Sequence, residues 1–313
     1  MGKRANRSDV AAHGASLLTI APLLYHDVHA SMNKTANASG SPGHACYNHR
    51  ADGEDSYYGC SFRAWPETFY AGLLTAEQTD AVYLQGAGLT TCESGRFLSL
   101  GVPSGGTRMF VHIPQGFPFG LLVHDMVERF LLYFFTHSAH TNTRGTFTTP
   151  ESTTLDRVSG YNYAYASPGT GNVPMCMKWM LCFEEPQTRT LWLGKAVPRD
   201  WLVAGEAPLV AHRVTTRYGR ISLALEVAGG GGTYAVKANV TLPPSFATRA
   251  PAGGIKLRIR APLSHAGKLS KVTVGGKAWS GFDAAEETVV FKASELTASL
   301  IEDGLPNIVA TFD

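Results

Sequence analysis

The sequence predicts an α+β protein in which a helical domain, residues 1–185, precedes an antiparallel β-sandwich domain, residues 186–313. The first part alternates helical periods with polar loops, whereas short β-type runs separated by glycine and proline follow Pro186. Nine of the 11 histidines and ten of the 12 tyrosines lie before Pro186. The titratable and stacking groups are therefore concentrated in the first domain, and the second has the character of a scaffold.

Helical signals occur throughout the first domain. The segment TAEQ, Thr75–Gln78, has the pattern of a capping box and predicts a helix start. The longest predicted helix is apolar on nearly all sides, which is typical of a helix inside a layer. Within it, Asp125 and Arg129 have the i,i+4 spacing of an ion pair. This longest helix is predicted over residues 119–140, and further helices are predicted over residues 9–25 and 173–183.

Strand signals follow at regular spacing in the second domain, without helices between them, and predict a sandwich. The run VTVGGKAW predicts a hairpin with a two-residue turn at Gly275 and Gly276. The run IKLRIR, residues 255–260, alternates apolar and basic side chains, which predicts a half-buried strand with one wet face. The glycine run 229–232 is interpreted as a hairpin connection, since no Lys-Ser/Thr pair follows it as in a phosphate loop.

Composition and charge exclude some classes of partner. The net charge of +2 gives no reason to expect nucleic acid or an anionic membrane. No apolar run reaches the roughly 18–20 residues that span a bilayer. Basic residues before the apolar stretch 15–24 imitate a signal peptide, but an amphipathic helix is the favoured interpretation, and secreted and cytoplasmic locations both stay open.

Five cysteines are present, and none forms a C-x-x-C pair. Cys176 and Cys182 lie in apolar sequence and are predicted to be buried. Cys46 and Cys60 flank a polar loop and could form a disulfide in an oxidising compartment.

Three runs give the chain a resemblance to a known family: AHTNTRGTFTTPEST (139–153), KWMLCFEEPQTRTLWLGKAVPRDWL (178–202) and APLVAHRVTTRYGRISLALEV (207–227). In segment order they resemble the C-terminal portion of (α/α)-toroid, or six-hairpin, glycosidase-like proteins. The resemblance implies a partial (α/α) toroid followed by a β-sandwich, and a carbohydrate-active class. A full toroid needs more helices than residues 1–185 can supply. The chain is therefore expected to be a fragment with reduced or no activity, which self-associates through exposed helix faces.

Candidate site residues follow from glycosidase chemistry, which commonly uses two carboxyl groups on either side of the scissile bond. Glu67 and Glu151 each follow a proline beside aromatic or threonine-rich sequence and are predicted to lie where a loop meets a helix. They are the predicted catalytic pair, although each could instead cap a helix start. The predicted sugar-binding residues are Trp65, His140, Arg144, Tyr163 and Tyr165.

Two other functions remain open. A polysaccharide lyase on the same toroid would use His140 or Tyr163 as a base, with Arg144 and Asn142 neutralising a uronate. A non-catalytic carbohydrate-binding or structural module is the second alternative. His137 and His140 are spaced i,i+3, but no standard zinc pattern completes the set, so neither metal nor cofactor is expected.

Overall fold

A computed structural model describes most of the chain from Phe69 onward and isolated helical positions before it. The described residues are 12, 14–17, 19–23, 26–27, 30, 69–70, 72, 74–84, 98–99, 101–105, 108–110, 116–141, 148–154, 167–228, 233–297, 300 and 305–313. The class is α+β, as predicted. The chain divides into two compact units, Met1–Val173 and Pro174–Asp313. A domain boundary after residue 185 stays a prediction.

The first unit combines short helices with a small sheet. Its elements are α1 (Ala76–Leu84), β1 (Leu98–Ser99), β2 (Val102–Gly105), β3 (Arg108–Phe110), α2 (Gly116–Val123), α3 (Val127–Thr136), a π-helix (His137–Thr141) and β4 (Ser152–Thr154). The four strands pair antiparallel in the order β1-β2-β3-β4. Helix α4 (Ser167–Leu181) contains Pro174 and crosses the boundary between the units.

The predicted capping box is confirmed at the start of α1. The Gln78 backbone N–H donates to Thr75 Oγ1 at 3.1 Å, and the Thr75 N–H donates to Gln78 Oε1 at 3.0 Å. Two backbone donors at the helix end thereby gain acceptors within a four-residue segment.

The prediction of one helix over residues 119–140 is wrong, because the segment breaks at Asp125. This residue has a left-handed φ of 58°. The Met126 N–H reaches Leu121 O at 2.8 Å, and the Asp125 N–H reaches Leu122 O at 3.2 Å, which is a Schellman ending of α2. Aspartate tolerates the left-handed conformation better than most residues. Asp125 and Arg129 therefore do not lie in one continuous helix, and the i,i+4 ion pair predicted from their spacing loses its structural basis.

The aromatic core of the first unit lies between α1, α2 and α3. Phe117 packs against Phe69 at 5.0 Å between ring centroids and against Tyr133 at 5.9 Å. Leu132 and Phe135 on α3 are each 46% exposed, so the prediction of a fully buried helix is wrong for this face. Self-association through such faces stays a prediction.

The second unit consists mainly of two sheets. Its elements after α4 are β5 (Cys182–Glu184), β6 (Leu191–Leu193), β7 (Leu209–Thr216), β8 (Gly219–Val227), β9 (Tyr234–Thr241), α5 (Phe246–Arg249), β10 (Ile255–Arg258), β11 (Leu269–Val274), β12 (Lys277–Ala278), β13 (Phe282–Asp283), β14 (Thr288–Phe291) and β15 (Leu305–Phe312), with 3-10 turns at Arg199–Trp201, Leu263–His265 and Ala293–Glu295. The sheet orders are β13-β14-β10-β6-β5 and β12-β11-β15-β9-β8-β7. All of these neighbours are antiparallel except β6 and β10, which run parallel.

Both sheets contribute to one hydrophobic core. Leu193, Leu257 and Phe291 enter it from the five-stranded sheet, and Leu223 and Val236 enter it from the six-stranded sheet. Burial of these alternating positions is the main favourable term in folding of the unit. The predicted hairpin is confirmed, since Gly275 and Gly276 connect β11 to β12 with φ values of 57° and 76°.

The predicted wet face of the IKLRIR strand is wrong for Arg258 and Arg260, whereas the Lys256 side chain is 33% exposed. Arg258 and Arg260 are only 6% and 5% exposed. The Arg258 guanidinium lies 4.8 Å from the centre of the Trp192 ring, and Arg260 Nη1 donates to Val197 O at 3.0 Å. Strand β10 pairs on both sides, and its Arg258 side chain packs on an aromatic face, whereas Arg260, two residues after the strand, donates to a carbonyl oxygen.

The predicted burial of Cys176 and Cys182 is confirmed, as each is 1% exposed and both are free thiols. Cys182 lies in β5 rather than in the predicted helix, because α4 ends at Leu181. Cys46 and Cys60 lie outside the described residues.

Candidate functional site in the first unit

Two histidines lie on the π-helix that continues α3. The His137 backbone N–H is shared between Phe134 O and Tyr133 O, and Ser138 Oγ donates to Phe134 O at 2.7 Å. A π-turn changes the angular spacing of side chains from that of an α-helix, and such turns are frequent at functional sites. His137 and His140 therefore need not share one face, as their i,i+3 spacing alone would indicate.

His137 is part of a buried polar network. Its side chain is 1% exposed, and Asn172 Nδ2 lies 3.2 Å from His137 Nε2 and 3.4 Å from the Tyr133 hydroxyl. Asn172 therefore connects the π-helix, through His137, and α3, through Tyr133, to α4. This network gives His137 a structural role.

His140 contacts a different element. Its Nε2 lies 3.1 Å from the backbone oxygen of Thr154 on β4. A carbonyl oxygen only accepts, so Nε2 carries the proton, and Nδ1 is the basic nitrogen of the neutral ring. The half-buried imidazole is thereby fixed in orientation and tautomer by a strand 14 residues further along the chain.

Glu151 lies immediately before β4. Its side chain is half-buried, and Thr149, Ser152 and Thr153 around it are buried. A rise of about 3.3 Å per residue puts the Glu151 Cα about 10 Å from that of Thr154. The expectation that Glu151 lies at a loop–helix junction is wrong, because the β-branched residues after it form a strand paired with β3.

The two described members of the predicted site, His140 and Glu151, are therefore connected through one short strand. Among the described residues, no group of three or more His, Cys, Asp or Glu is arranged to hold a metal ion. The predicted residues Trp65, Glu67, Arg144, Tyr163 and Tyr165 lie outside the described residues.

Three further polar residues near the helices were not predicted as site residues. Asn172 and Tyr133 hold His137, as described above, and their positions in apolar helices are the only signal that could have identified them.

Arg129 Nη2 lies 2.5 Å from Asp80 Oδ1, and the guanidinium is 4.2 Å from the centre of the Tyr83 ring. Burial raises the pKa of Tyr83, while Arg129 acts in the opposite direction. This contact ties α1 to α3.

Replacing Asn172 by alanine is expected to destabilise the protein by about 2 kcal/mol, because the buried His137 and Tyr133 both lose a hydrogen-bond partner. The free energy of unfolding can be measured by urea denaturation followed by circular dichroism. Met177→Ala is the matched control, since Met177 is on the same helix and 38% exposed. Equal losses in both variants would contradict the network.

No protein-family model, curated protein or solved structure matches this chain. In the part of the chain that the structure describes, no helix is both long enough and apolar enough to cross a membrane.

Proposed function

We propose that the chain is a carbohydrate-active protein of the glycoside hydrolase type, with a partial (α/α) toroid in the first part and a β-sandwich in the second. The proposal starts from the three sequence runs that resemble six-hairpin glycosidase-like proteins. The α+β class and the shared core of two sheets agree with the second half of that architecture. The proposed ligand is a carbohydrate.

The observation that carries the proposal is the connection of Glu151 to His140 through β4. Glu151 is half-buried and immediately precedes β4, whose backbone is paired with that of β3. The hydrogen bond to Thr154 fixes the imidazole of His140 at the other end of this strand. A site of this kind needs groups that are oriented before the ligand binds.

In the proposed reaction Glu151 donates a proton to the glycosidic oxygen as the bond to the anomeric carbon breaks. Glu67 is the proposed second carboxylate, which either attacks the anomeric carbon or activates a water molecule. His140 and Arg144 bind sugar hydroxyls, and Trp65, Tyr163 and Tyr165 stack on sugar rings. These roles come from the sequence and from the family resemblance.

Replacing Glu151 by glutamine is expected to lower kcat by about 100-fold or more, because an amide cannot donate the proton. Release of reducing ends from a panel of neutral polysaccharides, or of nitrophenol from aryl glycosides, measures the activity. Glu128→Gln is the matched control, since Glu128 is exposed on α3. A Glu151→Gln variant as active as the control would exclude Glu151 as the acid.

A polysaccharide lyase is the second candidate, and the tautomer of His140 favours it. With Nε2–H bound to Thr154, the basic Nδ1 could remove a proton next to a uronate carboxylate. Arg144 and Asn142 would neutralise that carboxylate, and Tyr163 is the alternative base. An unsaturated uronide product, together with loss of activity in Tyr163→Phe and full activity in Glu151→Gln, would support the lyase over the hydrolase.

A further inference from the structure

A pocket of about 380 Å³ lies at one margin of the second unit, where the chain passes from the six-stranded to the five-stranded sheet. Residues 279–281 connect β12 to β13, and each of these strands is at the edge of its sheet. Trp279 and Phe282 line the pocket with aromatic rings, and Asp283, Lys292 and Glu295 line it with charged groups. The pocket therefore combines aromatic and charged side chains, whereas the core of the unit is apolar.

The Trp279 ring is held in one orientation. Its Nε1–H donates to Gly281 O at 3.1 Å and to Val290 O at 3.2 Å, and its ring lies 5.0 Å from that of Phe291. The indole N–H is already satisfied, so the ring contributes an apolar surface rather than a donor. A Cβ on Gly281 would come within 2.7 Å of Trp279 Nε1, so this packing requires glycine.

The two carboxylates of the pocket are also fixed. Asp283 Oδ1 accepts from the Glu286 N–H at 2.9 Å, and Glu295 Oε2 accepts from the Lys292 N–H at 2.7 Å. Each of these bonds uses one oxygen of its carboxylate. Among the contacts of the described residues, the second oxygens have no partner, which leaves them available to accept hydrogen bonds from a ligand.

We propose that this pocket binds one ring of a neutral oligosaccharide. The C–H face of a pyranose packs on Trp279 and Phe282, and its hydroxyl groups donate to Asp283 and Glu295 and accept from Lys292. The volume is within the range of small-ligand sites, which combine apolar walls with a few placed polar groups. Two carboxylates against one ammonium disfavour a uronate.

This proposal goes beyond the function of the first unit, because the pocket lies in the second unit and needs no reaction at Glu151. A similar combination of side chains occurs at Asp200, Trp201 and Glu206, in another pocket of the same unit. All residues lining that pocket belong to the single segment 200–209. It therefore supplies a matched control with a tryptophan and an exposed carboxylate.

The test uses the full chain with soluble tetrasaccharides of glucose, xylose and N-acetylglucosamine as probes, measured by isothermal titration calorimetry and tryptophan fluorescence. At least one neutral probe is expected to bind with a Kd near the millimolar range. Asp283→Asn keeps an oxygen for the Glu286 N–H and is expected to weaken binding about fivefold. Trp279→Phe is expected to weaken it and to remove the fluorescence change.

Asp200→Asn is expected to bind like the original chain, and circular dichroism checks that all variants fold. The proposal is overturned if no neutral probe binds, if Asp283→Asn and Trp279→Phe both bind unchanged, or if a galacturonate tetramer binds equally well. Loss of hydrolysis in Glu151→Gln with no binding at this pocket would leave the proposed function standing alone. Binding at the pocket without any hydrolysis would support the pocket proposal and contradict the proposed hydrolase function.

Discussion

Replacing Glu287 by alanine is expected to lower the free energy of unfolding of the second unit by about 3 kcal/mol, since removing one partner of a buried ion pair leaves the other charge uncompensated. The Glu287 side chain is 3% exposed. Arg199 Nη1 donates to its Oε1 at 3.0 Å and Nη2 lies 2.7 Å from its Oε2, so the guanidinium binds both oxygens. The Gly267 N–H also donates to Oε1, at 3.2 Å.

The adjacent residue provides the control. The Glu286 side chain is 49% exposed and lies 3.7 Å from Lys256 Nζ, so Glu286→Ala is expected to cost less than about 1 kcal/mol. Urea denaturation followed by circular dichroism compares the two variants. In a double-mutant cycle, Arg199→Ala and Glu287→Ala together should cost clearly less than the sum of the single changes. Additive losses would show that the pair does not act as a unit.

Replacing Gly254 by alanine is expected to cost about 4 kcal/mol, from backbone strain and a steric clash together. Its φ is 75°, and an added Cβ would lie 2.2 Å from Phe291 O and 3.1 Å from Lys292 Cα. The left-handed conformation alone costs about 1 kcal/mol for alanine. Forcing the two backbone segments apart adds about 3 kcal/mol, the upper end for overpacking.

Gly276 separates these two terms, because its φ of 76° is almost identical and an added Cβ would meet nothing within 4 Å. Gly276→Ala is therefore expected to cost only about 1 kcal/mol. Thermal and urea unfolding of both variants measures the difference, which is the cost of the contact with β14. A Gly276 variant as unstable as the Gly254 variant would assign the whole effect to the backbone conformation.

Features that depend on a few neighbouring residues were predictable from the sequence. The capping box at Thr75 and the two-glycine turn at Gly275 are each complete within about four residues, so the local pattern is enough to specify them. The burial of Cys176 and Cys182 followed from the apolar sequence around them. The long strands of the second unit have the alternation that a half-buried sheet produces.

Features that depend on distant partners were not predictable. The strands β1–β4 have two to four residues each, which is too short for a periodic signal. The basic side chains of β10 alternate as on an exposed face, and the position of Trp192 on the neighbouring strand explains the burial of Arg258. The break at Asp125 has no proline or glycine to mark it.

The same distinction applies to the candidate site. His140 and Glu151 could be identified by residue type and by their closeness in sequence. The partner of His137 is Asn172, which is 35 residues away, and no spacing rule connects them. A π-helix has no sequence signature of its own, so the divergence of the two histidines depends on packing against α4 and β4.

The buried thiols of Cys176 and Cys182 can report local opening of the structure. Burial raises the pKa of Cys176 and raises that of Cys182 to about 12, so almost no thiolate forms at neutral pH. Since the thiolate is the reactive form, a thiol reagent modifies these residues only when the surrounding structure opens. The modification rate at Cys176 measures the opening of α4, and that at Cys182 measures the separation of β5 from β6.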